Sequence, residues 1–230
     1  MPIIVLVSPK GGVGKTTSAL VLGTSLAHQG ASVTMIDADP NRPLKAWSEG
    51  QPKPGISVIS DVDEDSIQDR IDEAATQTAF VIVDLEGTAG KIALLAVACA
   101  DLVLIPMQAS QLDAAQASKA LKVVRQQERM SGRHVPHAIL WTRTSAAIRS
   151  RTRAALADDL RGIGVPMLSV ELCEREAFRA MFSFRLTVYE MDGEVSNVAR
   201  ARDNALALTD EVLSMIREQQ QPAQARGQRA

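Results

Sequence analysis

The fold is decided by the stretch Lys10-Gly11-Gly12-Val13-Gly14-Lys15-Thr16-Thr17, which directly follows an apolar run, Ile3-Ile4-Val5-Leu6-Val7. The apolar run is rich in β-branched residues and is typical of a parallel strand that is buried on both faces. Residues 16–28 then place apolar side chains on one helical face, and Gly30 provides a stop signal. The sequence therefore predicts a strand, a glycine-rich loop and a helix, in that order.

This order of elements is that of a phosphate-binding loop, or P-loop. Glycines let several backbone N–H groups surround a phosphate, and the start of the following helix attracts the anion. We predict that residues 11–17 bind a nucleoside triphosphate, that Lys15 reaches the β- and γ-phosphates, and that the Thr16 hydroxyl serves Mg²⁺. The ordinary pattern G-x-x-x-x-G-K-[ST] has glycine where this chain has Pro9, so the loop departs from it at the first position.

Further strands and helices alternate along the rest of the chain. The patterns predict strands at 32–36, 57–60, 80–83, 102–105, 138–141 and 167–170, and helices at 65–76, 92–99, 114–130, 148–161 and 195–217. Helical crossovers between strands force a mainly parallel sheet with helices on both faces. We predict an α/β fold, a three-layer α/β/α sandwich with a twisted sheet, formed by one domain over residues 1–218. Residues 219–230 lack apolar periodicity, which predicts a disordered tail.

The composition is typical of a globular protein, with 46% hydrophobic and 23% charged residues. The two cysteines, Cys99 and Cys173, do not form a C-x-x-C pair, and neither a signal peptide nor an apolar run of about 18 residues is found. We therefore expect a reduced, cytoplasmic protein without a stable membrane anchor.

Acidic residues follow two of the predicted strands. The second strand ends in Asp37-Ala38-Asp39-Pro40, and Phe80-Val81-Ile82-Val83 leads into Asp84, as in a Walker B strand. Ligands of open α/β sheets bind outside the carboxyl ends of the strands, where these carboxylates can serve Mg²⁺ and an attacking water. We predict that Asp84 holds Mg²⁺ through water. An isolated Asp-Pro pair also closes strands as a simple turn, and Glu86 fits a solvated loop residue better than a water-positioning one.

The run KGGVGKTT resembles the signature of the ParA/MinD family of deviant Walker ATPases, to which we assign the chain. In this family the extra lysine reaches across a dimer interface to the other subunit's nucleotide. The resemblance implies that Lys10 acts in trans in an ATP-dependent homodimer. It also implies that Asp39 orients the hydrolytic water, while Asp37 supports Thr16 and the water shell of the metal.

Other stretches match the family less closely. Residues 105–110 are similar to its P-x-Q-P-S stretch, whereas Asp84-Leu85-Glu86-Gly87 departs from its D-T-P-P-like second switch. After the strand that ends at residue 141, the family often places a residue that reads the adenine edge, and here Thr142 and Arg143 occupy that place. The sequence has no N-K-x-D stretch, which counts against a guanine-specific enzyme. We therefore expect ATP with Mg²⁺.

Charge is distributed unevenly along the chain. Residues 1–115 carry 7 Lys and Arg against 14 Asp and Glu, whereas residues 116–230 carry 18 against 13. Three basic clusters lie in the second half: Lys122, Arg125, Arg129 and Arg133; Arg149, Arg151 and Arg153; Arg175, Arg179 and Arg185. A surface composed of such clusters binds nucleic-acid phosphates without reading sequence. Each cluster alone also fits a solvated face.

The leading hypothesis is a ParA-type ATPase whose ATP-bound dimer binds DNA nonspecifically and associates with the nucleoid. A ParB-like or other adaptor would stimulate its slow hydrolysis and so segregate or position a plasmid or another cargo. Residues 37–47 also resemble small ParA relatives associated with plasmids and conjugative transfer, which gives a second candidate. A MinD-like positioning ATPase, a metabolic relative and a nucleotide-sensing adaptor remain alternatives.

Overall fold

The computed structural model describes residues 1–49, 51–87, 90–145, 151–192 and 195–220, with helices and strands alternating along most of the chain. The strands are β1 Ile3–Leu6, β2 Val33–Ala38, β3 Ile56–Ile59, β4 Phe80–Leu85, β5 Leu102–Met107, β6 His137–Thr144 and β7 Leu172–Cys173. The helices are α1 Lys15–His28, α2 Pro43–Ser48, α3 Ile67–Gln77, α4 Lys91–Cys99, α5 Gln111–Ser131, α6 Arg151–Gly162, α7 Glu176–Phe184 and α8 Val198–Gln220.

The strands form one seven-stranded sheet in the order β3-β2-β4-β1-β5-β6-β7, and every pair of neighbours is parallel. One face packs against α1, α2, α7 and α8, and the other packs against α3, α4, α5 and α6. Because both faces are covered, the central strand β1 is buried at all four positions. The predicted three-layer α/β/α sandwich is confirmed, and the sheet is parallel throughout.

The two helices that the sequence patterns missed are both short. The helix α2 has six residues and begins with a proline at its first turn, so it is too short to show a clear apolar period. The helix α7 has nine residues and buries Ala177, Phe178, Ala180 and Met181 against the sheet. Both helices lie on the same face as α1.

The predicted strand at residues 167–170 was wrong in its position. Met167 forms only an isolated bridge with Ile139, and the regular pairing with β6 begins at β7. The backbone N–H groups of Ser169 and Val170 donate instead to the carboxylate of Glu211 on α8, at 2.7 Å each. These two N–H groups therefore do not pair with β6, and the edge strand is interrupted at this point.

The last helix begins and ends three residues later than predicted. It continues to Gln220, past the predicted start of the tail at residue 219, and residues 221–230 lie outside the described residues. Within the described ranges, no helix is both long enough and apolar enough to cross a membrane.

Candidate functional site

The glycine-rich loop between β1 and α1 has the backbone conformation that its sequence predicts. Gly12 has φ 72° and Gly14 has φ 96°, a left-handed region that other residues enter only with strain. A Cβ on Gly14 would lie 3.5 Å from the Cβ of Thr142, so the loop also passes close to β6. The helix α1 begins at the next residue, and its N-terminal N–H groups face the loop.

Lys15, the first residue of α1, is only 6% exposed. Its ammonium donates to the carbonyl of Lys10 at 3.3 Å, across the base of the loop. Burial lowers the pKa of Lys15, while the carboxylates of Asp84, Asp39 and Glu86 act in the opposite direction. The buried ammonium therefore lies in a negatively charged environment formed by three carboxylates.

Asp37 and Asp84 lie side by side where β2 and β4 end, because the two residues are paired in register. Asp37 is 1% exposed and Asp84 is fully buried. The carboxylate of Asp37 accepts the N–H of Lys45 at 2.9 Å and that of Asp39 at 3.4 Å. Burial raises the pKa of Asp37, and these backbone hydrogen bonds partly offset that effect.

Neither buried oxygen of Asp84 has a hydrogen-bond partner of good geometry among the described residues. Burial raises the pKa of Asp84 to about 7, although the nearby Thr16 hydroxyl and the Lys15 charge act to lower it. The orphaned oxygens and the hydroxyl form an oxygen-rich donor set, which suits Mg²⁺. In the described part of the chain, no group of three or more His, Cys, Asp and Glu side chains can hold a metal. A cation here therefore needs phosphate and water oxygens as well.

The raised pKa predicts how the stability of the nucleotide-free, magnesium-free protein depends on pH. Because the folded-state pKa of Asp84, about 7, exceeds the ordinary value of 3.8, the folded protein binds more protons between these values. Its stability therefore falls as the pH rises through that window. Asp84→Asn removes this effect, so we expect its melting temperature to match wild type only below about pH 4 and to exceed it by about 10 °C near pH 8.

Asp203, an exposed residue of α8, provides the charge-matched control. Asp203→Asn should follow the wild-type melting temperature at every pH. A constant difference between Asp84→Asn and wild type across the pH range would contradict the assigned burial of the Asp84 charge.

Asp39 is half-buried in the loop that joins β2 to α2. Its carboxylate accepts two hydrogen bonds from Asn41, from the backbone N–H at 2.8 Å and from the side-chain amide at 2.9 Å. Its carbonyl accepts the N–H of Arg42, which has φ 51°. The loop is thus a defined turn that holds the carboxylate near Lys15, where its charge partly offsets the lowering of the Lys15 pKa by burial.

A cavity of about 430 Å³ lies beside the loop, between β6, β7 and α7. Gly14 and Thr17 form its floor, and Phe178 and Phe182 of α7 contribute aromatic surface. Aromatic surface next to a phosphate-binding loop is suited to a planar base. These two phenylalanines were not predicted from the sequence; their four-residue spacing was the available signal, since it places both on one face of a helix.

Thr142 and Arg143 both line this cavity, but they differ in what they present to it. Thr142 is 1% exposed, and its hydroxyl donates to the carbonyls of Val13 at 2.6 Å and Met107 at 3.2 Å. This hydroxyl therefore supports the loop from the sheet. Arg143 is exposed with φ 51°, and it lies at the rim.

A second contact supports the loop from β5. The side-chain amide of Gln108 donates to the carbonyl of Gly12 at 3.2 Å. Gln108 belongs to the stretch 105–110 that resembles the family's P-x-Q-P-S segment. Its position explains why a hydrogen-bonding side chain is useful directly after this strand.

Comparison with known proteins decides the family. The family described as VirC1 protein matches residues 1–219. Protein ParA of Rhizobium radiobacter is 40% identical over 219 residues, which cover 95% of this chain and 99% of that protein. The chain belongs to the VirC1 family of ParA/MinD-type ATPases. Protein virC1 of Rhizobium rhizogenes is 28% identical to this VirC1-family protein over 187 residues, covering 79% of this chain and 80% of that one.

The fold of this VirC1-family protein also matches solved structures of the wider group. A complex of ATP with an aspartate-to-alanine variant of McdA from Cyanothece superimposes with a TM-score of 0.75 at 17% identity, covering 92% of this chain and 96% of that one. The cell division ATPase MinD of Pyrococcus furiosus gives a TM-score of 0.69 at 18% identity, with 93% and 99% covered. The predicted membership of the ParA/MinD family is confirmed.

The three basic clusters lie in different environments in this VirC1-family protein. Arg179 forms ion pairs with Glu174 and Glu176, and Arg153 pairs with Glu171. Two further arginines donate to backbone carbonyls: Arg185 to that of Glu49, and Arg133 to those of Ala98 and Ala100. Arg175 is half-buried, and Arg149 lies outside the described residues. By contrast, Lys122, Arg125 and Arg129 are exposed on α5, and Arg151 is exposed at the start of α6.

Proposed function

We propose that this VirC1-family protein is a slow, partner-stimulated ATPase of the ParA type. ATP and Mg²⁺ bind at the glycine-rich loop and bring two subunits together as a sandwich dimer, which binds DNA nonspecifically. An adaptor, ParB-like or of another kind, stimulates hydrolysis and thereby segregates or positions a plasmid or another cargo. The observation that supports this best is the convergence of Lys15, Asp37, Asp39 and Asp84 beside a cavity with aromatic walls.

The phosphates occupy the loop in this proposal. The backbone N–H groups of residues 11–17 and the start of α1 bind the anion, and Lys15 contacts the β- and γ-phosphates. Thr16 contributes its hydroxyl to Mg²⁺, which Asp84 and Asp37 hold through water. The orphaned oxygens of Asp84 support this assignment, since a buried carboxylate without a well-aligned hydrogen bond gains from a nearby cation. When bound, Mg²⁺ neutralises charge on the phosphates.

Two residues act on the reaction itself. Asp39 orients the attacking water, because its carboxylate lies at the loop edge near Lys15 and is held by a defined turn. Lys10 contacts the nucleotide of the opposite subunit and stabilises charge that develops on the transferred phosphoryl group. Lys10 is the first residue of the glycine-rich loop and is half-buried. Dimerisation is therefore part of the chemistry.

The adenine base lies in the cavity beside the loop. Phe178 and Phe182 contact its apolar faces, and Thr17 lies between base and phosphates. Arg143 contacts the base or ribose from the rim. Thr142 acts indirectly by holding the loop, since its hydroxyl is already bonded to two backbone carbonyls.

The basic face of α5 is the first candidate for contact with DNA. Its exposed residues include Lys119, Lys122, Arg125 and Arg129, which lie on one face of the helix. The opposite face buries Ala117, Ala120, Leu121 and Val124 in the core. A helix that inserts into a lipid surface needs a free apolar face. The exposed face of α5 therefore fits phosphates better than a membrane.

DNA binding by the protein tests the proposal directly. We expect DNA retardation to require ATP and to weaken steeply with salt. The double variant Arg125→Gln/Arg129→Gln should reduce the slope of log affinity against log salt by about 1.8 per protomer, since each phosphate contact contributes about 0.9.

The matched control is Arg70→Gln/Arg161→Gln, which removes the same charge from exposed arginines that are paired with Glu73 and Asp158. This control should leave the salt slope unchanged. Equal slopes for the two double variants would move the DNA site away from α5, and no retardation at low salt with ATP would contradict DNA binding altogether.

A role in conjugative DNA transfer is the second candidate. The resemblance of residues 37–47 to small ParA relatives associated with conjugative transfer favours it. The two candidates differ in the adaptor that accelerates hydrolysis, which binds a partition site in one case and a transfer origin in the other. ATPase assays with each kind of adaptor, with and without its DNA site, distinguish them.

A further inference from the structure

A buried joint connects the end of α2 to residues 185–190, which follow α7. Trp47 is 1% exposed, and its indole N–H donates to the carbonyl of Leu186 at 3.2 Å. Two residues further along, the carbonyl of Glu49 accepts a hydrogen bond from the guanidinium of Arg185 at 3.2 Å. The two segments are far apart in sequence, so these contacts fix α2 against a distant part of the chain.

An ion pair completes the joint over the face of the indole ring. The side chain of Lys53 is only 5% exposed, and its ammonium lies 3.0 Å from the carboxylate of Glu190. The same ammonium lies 5.5 Å from the centroid of the Trp47 ring, within the range of a cation–π contact. Glu190 also accepts the backbone N–H of Thr187 at 2.7 Å. The indole is therefore held by its N–H group and over its face.

The other end of α2 is attached to the aspartate loop. The N–H of Lys45 donates to the carboxylate of Asp37, and the carbonyl of Asp39 accepts the N–H of Arg42. These contacts lie within two helical turns of Trp47, because α2 has only six residues. A displacement of α2 therefore displaces the loop that carries Asp39.

The helix α2 depends on very few buried side chains for its position. It buries only Leu44 and Trp47, and a helix of six residues is not stable by itself. The cavity wall is different, since α7 buries four of its side chains in the core. Loss of the joint should consequently affect the aspartate loop more than the cavity.

We propose that Trp47 is a positioning residue for Asp39, which it holds at the hydrolytic position through α2. This rests on the proposed function, in which Asp39 orients the attacking water. A tryptophan that only filled the core would change stability and leave the balance between catalysis and nucleotide binding unaltered. A positioning role of Trp47 therefore predicts that its substitution lowers kcat and leaves KM nearly unchanged.

Partner-stimulated ATP hydrolysis by Trp47→Phe gives kcat and KM separately. We expect kcat to fall about tenfold, because small displacements of a reacting group are costly. KM should stay within about twofold of wild type, since phosphate and base contacts are unchanged. The matched control is Trp141→Phe, which alters a tryptophan that is 4% exposed in the core on the opposite face of the sheet. An unchanged kcat, or an equal loss in both variants, would overturn the proposal.

Lys53→Gln provides a second variant in case Trp47→Phe does not fold. It retains the indole and removes the ion pair with Glu190, so a kcat loss of about threefold with KM unchanged is expected. Wild-type kcat in a folded Lys53→Gln protein would contradict the role of the joint.

Fluorescence tests the joint without requiring hydrolysis. The chain has two tryptophans, so Trp47 is the only one left in Trp141→Phe. Addition of ATP with Mg²⁺ should change its emission saturably, because phosphate binding beside Asp39 alters the loop to which α2 is attached. Nucleotide binding without any change in emission would overturn the inference. ATP binding without hydrolysis by wild type, under any condition, would instead contradict the proposed function, and the emission would still report on the joint.

Discussion

Lys15→Ala is expected to lower the affinity for ATP by about 100-fold or more. The ammonium of Lys15 is 6% exposed at the start of α1 and lies among three carboxylates. It donates to the carbonyl of Lys10 at 3.3 Å, so it points across the loop. A buried charge pair loses several kcal/mol when one member is truncated, which corresponds to this change in affinity.

Equilibrium binding of a fluorescent ATP analogue in the presence of Mg²⁺ measures this effect. Lys119→Ala, which removes an exposed lysine of α5, is the matched control and should bind ATP as wild type does. Circular dichroism of Lys15→Ala should show an intact fold, since its loss concerns the ligand rather than the core. Unchanged ATP affinity in a folded Lys15→Ala protein would contradict the assigned loop.

Long periodic segments made most of the fold predictable from the sequence. Continuous apolar runs such as residues 3–7 are strands buried on both faces, and they leave few alternatives to a parallel sheet. Short elements were less predictable, because the six residues of α2 do not complete two helical turns. The edge strand was misplaced because Glu211, more than 40 residues away, captures two of its amides. Long-range contacts of this kind leave no local signal.

The residues of the candidate site also differ in how far the sequence could predict them. Residues that follow strands directly, such as Asp37 and Asp84, could be placed at one edge of the sheet because parallel strands end together. The distance between Thr142 and the loop could not be anticipated, and its hydroxyl proved to be bonded to Val13 and Met107. Phe178 was missed because α7 follows an irregular segment, and only the folded chain brings it beside the loop.

The second large effect is expected for Asp39→Ala, which should bind ATP and dimerise but hydrolyse ATP at least about 100-fold more slowly. Correct placement of the attacking water and its proton acceptor contributes about 10²–10⁴-fold to such reactions. Binding should persist because Asp39 makes its hydrogen bonds to Asn41 and Arg42, whereas the phosphates are held by the loop and Lys15.

Sedimentation with ATP and partner-stimulated phosphate release together measure the consequence of Asp39→Ala. Removal of the half-buried Asp39 carboxylate also frees both donors of Asn41, so Asp39→Asn is the variant that retains an acceptor for them and preserves the turn. Both variants should accumulate as ATP-bound dimers with little phosphate release, because neither has the carboxylate that orients the attacking water in the proposed function. Asp203→Ala, the exposed control on α8, should cycle as wild type. A purely monomeric Asp39→Ala protein with ATP, or wild-type turnover by Asp39→Asn, would show that this loop does not couple ATP binding to hydrolysis through Asp39.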